Sequence, residues 1–147
     1  MVIEPARSWY CRREGPGVLM AGGLGPGSSF DTAVDWANLA GSAEWALHRM
    51  PPLEHAAFTR AWAGSLDMTP DGNAIMGRLP GFDDVYVAAG FSGHGFMHSP
   101  ATGRLMSELI LDGEAKTVDI TPLGLDRFAR GAWLSEALVF SRPPEEG

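Results

Sequence analysis

From Gly90 to Ser99 the chain reads GFSGHGFMHS. One serine and two histidines sit among glycines, and each of these residue types can do chemistry. Ser92, within Gly90-Phe91-Ser92-Gly93-His94, approximates a serine nucleophile elbow. That motif, G-x-S-x-G, needs glycine where His94 stands, because the strained turn must pack closely. His94 and His98 are four residues apart and could face one metal ion. They lie in a glycine loop and lack the glutamate of H-E-x-x-H, while His48 and His55 are distant in sequence, so ordinary hydrogen bonding fits them better. Two readings of the loop remain. It is a tight strand-to-helix turn, or it is a backbone site for something flat or negative. The second has a physical basis. The first N–H groups of a helix lack intrahelical acceptors and carry the positive end of its dipole. Glycines at 90, 93 and 95 let a ligand approach the backbone.

These residues need elements to hold them. Val85 to Ala89 is a short apolar run that predicts a strand buried on both faces, as in a parallel or mixed sheet. Ser99 and Pro100 predict the N-cap and first position of a helix. Its apolar stripe is Ala101, Leu105, Leu109 and Ile110, and Gly113 ends it. Upstream, Arg7–Glu14 and Val18–Gly22 predict a hairpin around Gly15-Pro16-Gly17. A helix follows over Asp35–Met50, apolar at Trp36, Leu39, Ala40, Ala43, Leu47 and Met50, and Pro51-Pro52 stops it. Phe58–Ala63 alternates loosely, as a strand would. Thr69-Pro70-Asp71-Gly72 predicts a turn and Ile75-Met76 a short strand. Trp133–Phe140 is a candidate short helix, and the tail RPPEEG is expected to fray.

With 147 residues, 45 % of them hydrophobic, the chain can build a real core. A net charge of −7 argues against a nucleic-acid groove, which requires clustered Lys and Arg. Cys11 is the single cysteine, so no intrachain disulfide forms, which fits a reducing compartment. There is no apolar run long enough for a membrane span and no signal-like start. A cytoplasmic location is expected.

GFSGHGF followed by a Pro-capped helix, TPDGNAIMG upstream and DITPLGLDRF near the end resemble the C-terminal part of the D-amino acid oxidase (DAO) family of FAD-dependent oxidoreductases. The likeness is greatest to the sarcosine oxidase β-subunit and proline dehydrogenase β-subunit branch. It runs from the hairpin around Arg12 to Phe128. The resemblance implies that Gly93, His94, Gly95, Phe96 and Met97 lie against the isoalloxazine ring of FAD, with the following helix aimed at its N1–C2=O side. It implies substrates that are amino acids or secondary amines (sarcosine, proline or glycine-like), oxidised by hydride transfer from the carbon beside nitrogen. Met97 occupies the place where some monomeric relatives have a lysine for the substrate carboxylate, so this substrate contact lacks an ion pair. No Cys or His is close to Gly64, where some relatives attach FAD covalently, so the cofactor is expected to bind noncovalently. No catalytic residue is assigned.

The family's N-terminal strand–GxGxxG–helix is not found. Gly23-Leu24-Gly25-Pro26-Gly27 has Ser28 in place of the third glycine, and Pro26 removes an N–H, so it reads as a loop. The expected fold is α+β. A substrate-domain-like antiparallel or mixed sheet with a long helix covers 1–81. The C-terminal piece of the FAD domain covers 82–130, and a tail covers 131–147. Lacking the Rossmann unit, the chain is expected to be inactive alone and to need a second chain or self-association through apolar surface. The alternative is a non-catalytic remnant or partner-binding module that binds no flavin by itself. Four further residues have plain readings. Arg12 and Arg13 suit a solvated strand edge better than a carboxylate clamp. Trp62 suits a core position better than a flavin shield, and Asp71 suits turn formation better than acid catalysis.

Overall fold

The computed structural model describes residues 1–22 and 30–135. They fall into two compact units, one holding Met1–Ser65 and one beginning at Leu66. The loop expected at Gly23–Gly27, the RPPEEG end, and the Glu136–Phe140 part of the candidate helix lie outside the described residues. Trp133 to Ser135 are irregular.

The first unit is a three-stranded antiparallel sheet bearing one helix. Strands β1 (Val2–Glu4), β2 (Trp9–Glu14) and β3 (Gly17–Gly22) lie in that order. The hairpin forms as its glycines predict, pairing Cys11 with Met20 and Glu14 with Gly17. β2 begins later than expected, because Pro5–Arg7 forms a 3-10 turn. Helix α1 (Trp36–Arg49) starts where Asp35 Oδ1 accepts the N–H groups of Ala37 (2.9 Å) and Asn38 (3.1 Å). It stops before Pro51-Pro52, as expected. Its buried stripe is rotated from the expected one. Trp45, Ala46 and Met50 pack on Trp9 and Cys11, whereas Trp36 is 71 % exposed and Leu47 also faces outward. Met50 packs as expected, but the sheet accepts the small Ala46 in place of Leu47, and Trp9 supplies the bulk. Phe58–Ala63 is not a strand. Phe58 and Trp62 are both more than half exposed. Among the described residues no neighbouring strand takes up their backbone groups, and the core position expected for Trp62 is not found.

The second unit pairs β4 (Ile75–Arg78) antiparallel with β5 (Tyr86–Ala89) and packs helix α2 (Gly95–Asp112) on them. The expectation of a doubly buried strand in a parallel or mixed sheet is corrected here. β5 has one antiparallel neighbour, and Val85 is exposed. Met76, Leu105 and Ile120 form the core, with Ala74, Phe91, Met106, Leu109 and Leu123 around them. Within this unit β4 pairs with β5, and Thr69 N donates to Ser92 Oγ.

Helix α2 also starts earlier than Ser99. Its N-cap is His94, so Ser99 and Pro100 lie inside the first turns. Proline removes the N–H that Phe96 O would accept. The Ser99 hydroxyl replaces it, donating to Phe96 O at 2.8 Å. That substitution lets the helix run through Pro100. At the other end Gly113 adopts φ 83 and donates to Leu109 O, as its position predicts.

Candidate functional site

The loop between β5 and α2 is fixed from beneath by the segment Asp67–Asn73. Asp67 Oδ2 accepts the N–H groups of Gly90 (2.7 Å) and Phe91 (3.2 Å), and Asp67 O accepts that of Ser92 (3.0 Å). Ser92 Oγ accepts from Thr69 N at 3.2 Å and lies 3.2 Å from Gly90 O. Ser92 is buried at φ 52, a conformation that costs a non-glycine residue about 1–3 kcal/mol. Its hydroxyl is therefore a structural tie, not an exposed nucleophile. Gly90 has φ 68, and a Cβ there would lie 2.3 Å from Thr69 Cγ2. Only glycine allows the strand to leave the sheet so close to the Thr69 turn.

Below this turn is a buried ion pair. Arg127 is wholly buried, and its five N–H groups all find acceptors. Nε and Nη2 grip Asp71 Oδ2 and Oδ1 at 2.8 and 2.9 Å. Nη2 also reaches Asn73 O (2.8 Å), while Nη1 reaches Leu123 O (2.8 Å) and Gly124 O (3.3 Å). The Arg127 hydrogen bond holds the Asp71 carboxyl well below the usual carboxylate range, against the opposing effect of burial. Asp71 also accepts from Asn73 N at 3.2 Å, so its turn-forming role stands beside the ion pair. Thr69 Oγ1 has one proton, and its shortest acceptor contact is Asn73 O at 2.8 Å. Asn73 O thereby joins Thr69 to Arg127.

The residues singled out by the sequence lie above this base. Gly93 is exposed at φ 92, in the left-handed region where a side chain is strained. His94 N donates to Phe91 O, closing the turn that begins α2. The His94 side chain does not cap the helix. Gly95 is the first helical residue; a Cβ there would meet Phe91 Cβ at 3.3 Å. Phe96 is 96 % exposed and Met97 67 %. Gly93, Phe96 and Met97 are thus exposed at a helix start without a side-chain cap, with His94 and Gly95 half-buried between them. The His94 and His98 rings stack at 5.7 Å. Among the described residues no group of three or more His, Cys, Asp or Glu side chains is placed to hold a metal. Elsewhere, Arg12 pairs with Glu14 and Arg13 reaches Gly15 O, both exposed as expected, though at the hairpin end of the central strand, beyond the residues that β1 pairs, and not on an edge strand.

Sequence reasoning missed Asp67, the scaffolding role of Thr69, and the partnership of Asp71 with Arg127. Arg127 stood in the quoted DITPLGLDRF, Asp71 is the aspartate of the TPD turn and Asp67 precedes it by two residues, but nothing in their spacing shows which groups they meet.

The model of the family described as DAO, FAD dependent oxidoreductase, matches residues 1–109. The chain belongs to the DAO family. Its DAO relatives include FAD-dependent oxidoreductase domain-containing protein 1 of Xenopus laevis, 36 % identical over 88 % of this chain and 27 % of that protein. Sarcosine oxidase subunit beta of Rhizobium meliloti is 32 % identical over 92 % of this chain and 32 % of its own length. The crystal structure of L-proline dehydrogenase from P. horikoshii superposes with a TM-score of 0.76 at 33 % identity, covering 84 % of this chain and 33 % of that one. The chain therefore spans about a third or less of these relatives. The α+β reading and the partial DAO architecture are borne out. Among the described residues no helix is long and apolar enough to cross a membrane.

Proposed function

We propose that this chain supplies the flavin-edge and part of the substrate-side surface of an FAD-dependent oxidoreductase. Its substrate would be an amino acid or secondary amine of the sarcosine, proline or glycine class. The observation that carries this reading is the open start of α2, which follows Gly93 without a side-chain cap and exposes Phe96 and Met97. The residues fit a flat, electron-accepting group. The first N–H groups of a helix have no intrahelical acceptor, and the helix dipole places roughly half a positive charge there. A preorganised dipole stabilises negative charge without solvent reorganisation. When bound, FAD supplies the acceptor for a hydride from the substrate carbon next to nitrogen.

Gly93, His94, Gly95, Phe96 and Met97 would hold the ring noncovalently. Gly93 leaves space beside it, the α2 N–H groups stabilise charge, and Phe96 covers an apolar portion and excludes water. Met97 would meet the substrate by contact alone. In this reading 1–81 belongs to the substrate side, 82–130 to the cofactor side and 131–147 is a tail, and the working enzyme is cytoplasmic and includes a further chain or segment. Two observations support the need for such a partner. Phe96, Leu111 and Ile110 are half exposed or more on α2, and the Rhizobium meliloti relative is named as a subunit. They equally favour the second reading, a partner-binding module that takes no flavin by itself.

Titration of FAD fluorescence separates the two. The assay uses this chain alone, and again with the remaining two-thirds of a DAO relative supplied in trans. Saturable quenching that weakens at least tenfold in Gly93→Ala, and less in His94→Ala, is expected. Equal affinity in all three proteins would overturn the site assignment. Absence of quenching in both settings would favour the second reading.

A further inference from the structure

We infer that Arg127, remote in sequence from the glycine loop, is a positioning residue for Gly90–His94, and this rests on the reading of that loop as the flavin edge. The connection is continuous. Arg127 Nη2 donates to Asn73 O, and Thr69 Oγ1 donates to the same carbonyl at 2.8 Å. Thr69 N donates to Ser92 Oγ, and the Ser92 hydroxyl lies within reach of Gly90 O. Asp71 closes the base by taking two Arg127 N–H groups and that of Asn73. Thr69 Cγ2 also fills the space where any Gly90 side chain would stand. Every member except Asn73 is buried, so each lost link leaves a polar group without water to replace it.

The arrangement explains why a serine is held at positive φ. Ser92 carries local strain because its hydroxyl is needed beneath the loop, and buried networks that are fully satisfied can hold such strain. It also explains why an arginine serves where a lysine would not. A lysine has three donors on a flexible stem and cannot grip Asp71 with two parallel bonds while reaching Asn73, Leu123 and Gly124. The α2 N-terminus keeps its direction only while residues 90–94 are fixed, since they form its sole lead-in from β5.

Amide hydrogen exchange, followed by NMR on the chain without FAD, tests the relay. In Arg127→Lys and Ser92→Ala, exchange at Gly90, Phe91 and Ser92 should rise roughly tenfold relative to Leu105 and Leu109 in mid-α2. Met76→Ala, which loosens the same core outside the relay, should raise both groups alike. An unchanged ratio in Ser92→Ala, or a Met76→Ala ratio equal to that of Arg127→Lys, overturns the proposal and leaves Arg127 as a general fold determinant. The FAD titration adds a second readout. Where the wild-type chain quenches FAD, the variants should bind roughly tenfold more weakly; unchanged affinity with a loosened loop also overturns it. A wild-type chain that binds no FAD, alone or with the remaining two-thirds supplied in trans, counts against the flavin reading alone, and the exchange ratio still decides the relay.

Discussion

Replacing Gly90 by alanine should be among the most damaging single-methyl additions in the second unit. Two costs combine. The backbone sits at φ 68, and holding alanine in the left-handed region costs about 1 kcal/mol or somewhat more. The new Cβ would then stand 2.3 Å from Thr69 Cγ2, where no real contact survives. Thr69 cannot swing aside freely, because its hydroxyl is bonded to Asn73 O and its N–H to Ser92 Oγ. Overpacking of this kind costs about 1–3 kcal/mol, for a total of roughly 2–5 kcal/mol. Gly113 provides the comparison, since it has φ 83 and open space around its missing Cβ. Gly113→Ala should show the conformational cost alone, about 1 kcal/mol. Urea unfolding followed by circular dichroism gives both values. Thr69→Ser, which removes the obstructing methyl, should recover the steric part in the Gly90→Ala background. If Gly90→Ala costs no more than Gly113→Ala, or if Thr69→Ser restores nothing, the close approach of loop and turn is not as described.

Two more outcomes follow from local chemistry. Asp35→Ala removes the acceptor for two α1 N–H groups and should lower stability by about 1 kcal/mol in thermal or urea unfolding, with Asp35→Asn largely neutral. Acid should act through depressed carboxylates. Thr117 first, then Arg104 and Lys116, hold Glu108 down to about 2 from 4.5. The folded state thus binds fewer protons than the unfolded one in that interval, and the stabilisation is full above 4.5 and lost as pH falls towards about 2. Asp71 adds a loss that begins near its ordinary 3.8 and extends lower. Unfolding free energies measured across this range should fall, and Glu108→Gln should flatten the upper part of the slope; an unchanged slope would remove Glu108 from the account.

Much of the architecture was legible because local signals agreed with tertiary context. Asp35 before an apolar periodic run and Pro51-Pro52 after it bracketed α1, and Gly15-Pro16-Gly17 marked the hairpin. Misreadings arose where one residue could serve two local roles. Ser-Pro at 99–100 has the chemistry of a helix start, yet a serine hydroxyl can also replace the N–H that proline lacks, and only the turn at Phe91–His94 reveals which occurs. Val85–Ala89 looked doubly buried because composition cannot show whether a neighbour exists on each side. The candidate surface from Gly93 to Met97 came from the likeness of GFSGHGF to the DAO family. Its supports were not legible, because Asp67, Asp71 and Arg127 meet their partners by folding across 23 to 56 residues of chain.

The saturated guanidinium of Arg127 also limits how this protein can change by single substitutions. A variant at 127 that lacks the fork strands the Asp71 carboxylate in the interior, and a neutral residue at 71 strands the guanidinium; each intermediate stands to lose about 3–5 kcal/mol. Replacement of both by apolar residues of similar volume removes the stranded charge but leaves Leu123 O without its donor, so it recovers part of that loss. The two positions are therefore separated by a fitness valley whose far side is accessible, in stability terms, only by a concerted double step. A drifting sequence would meet that valley long before it exhausted the freedom at exposed positions such as Arg12 or Glu54, and a double-mutant cycle would measure its depth.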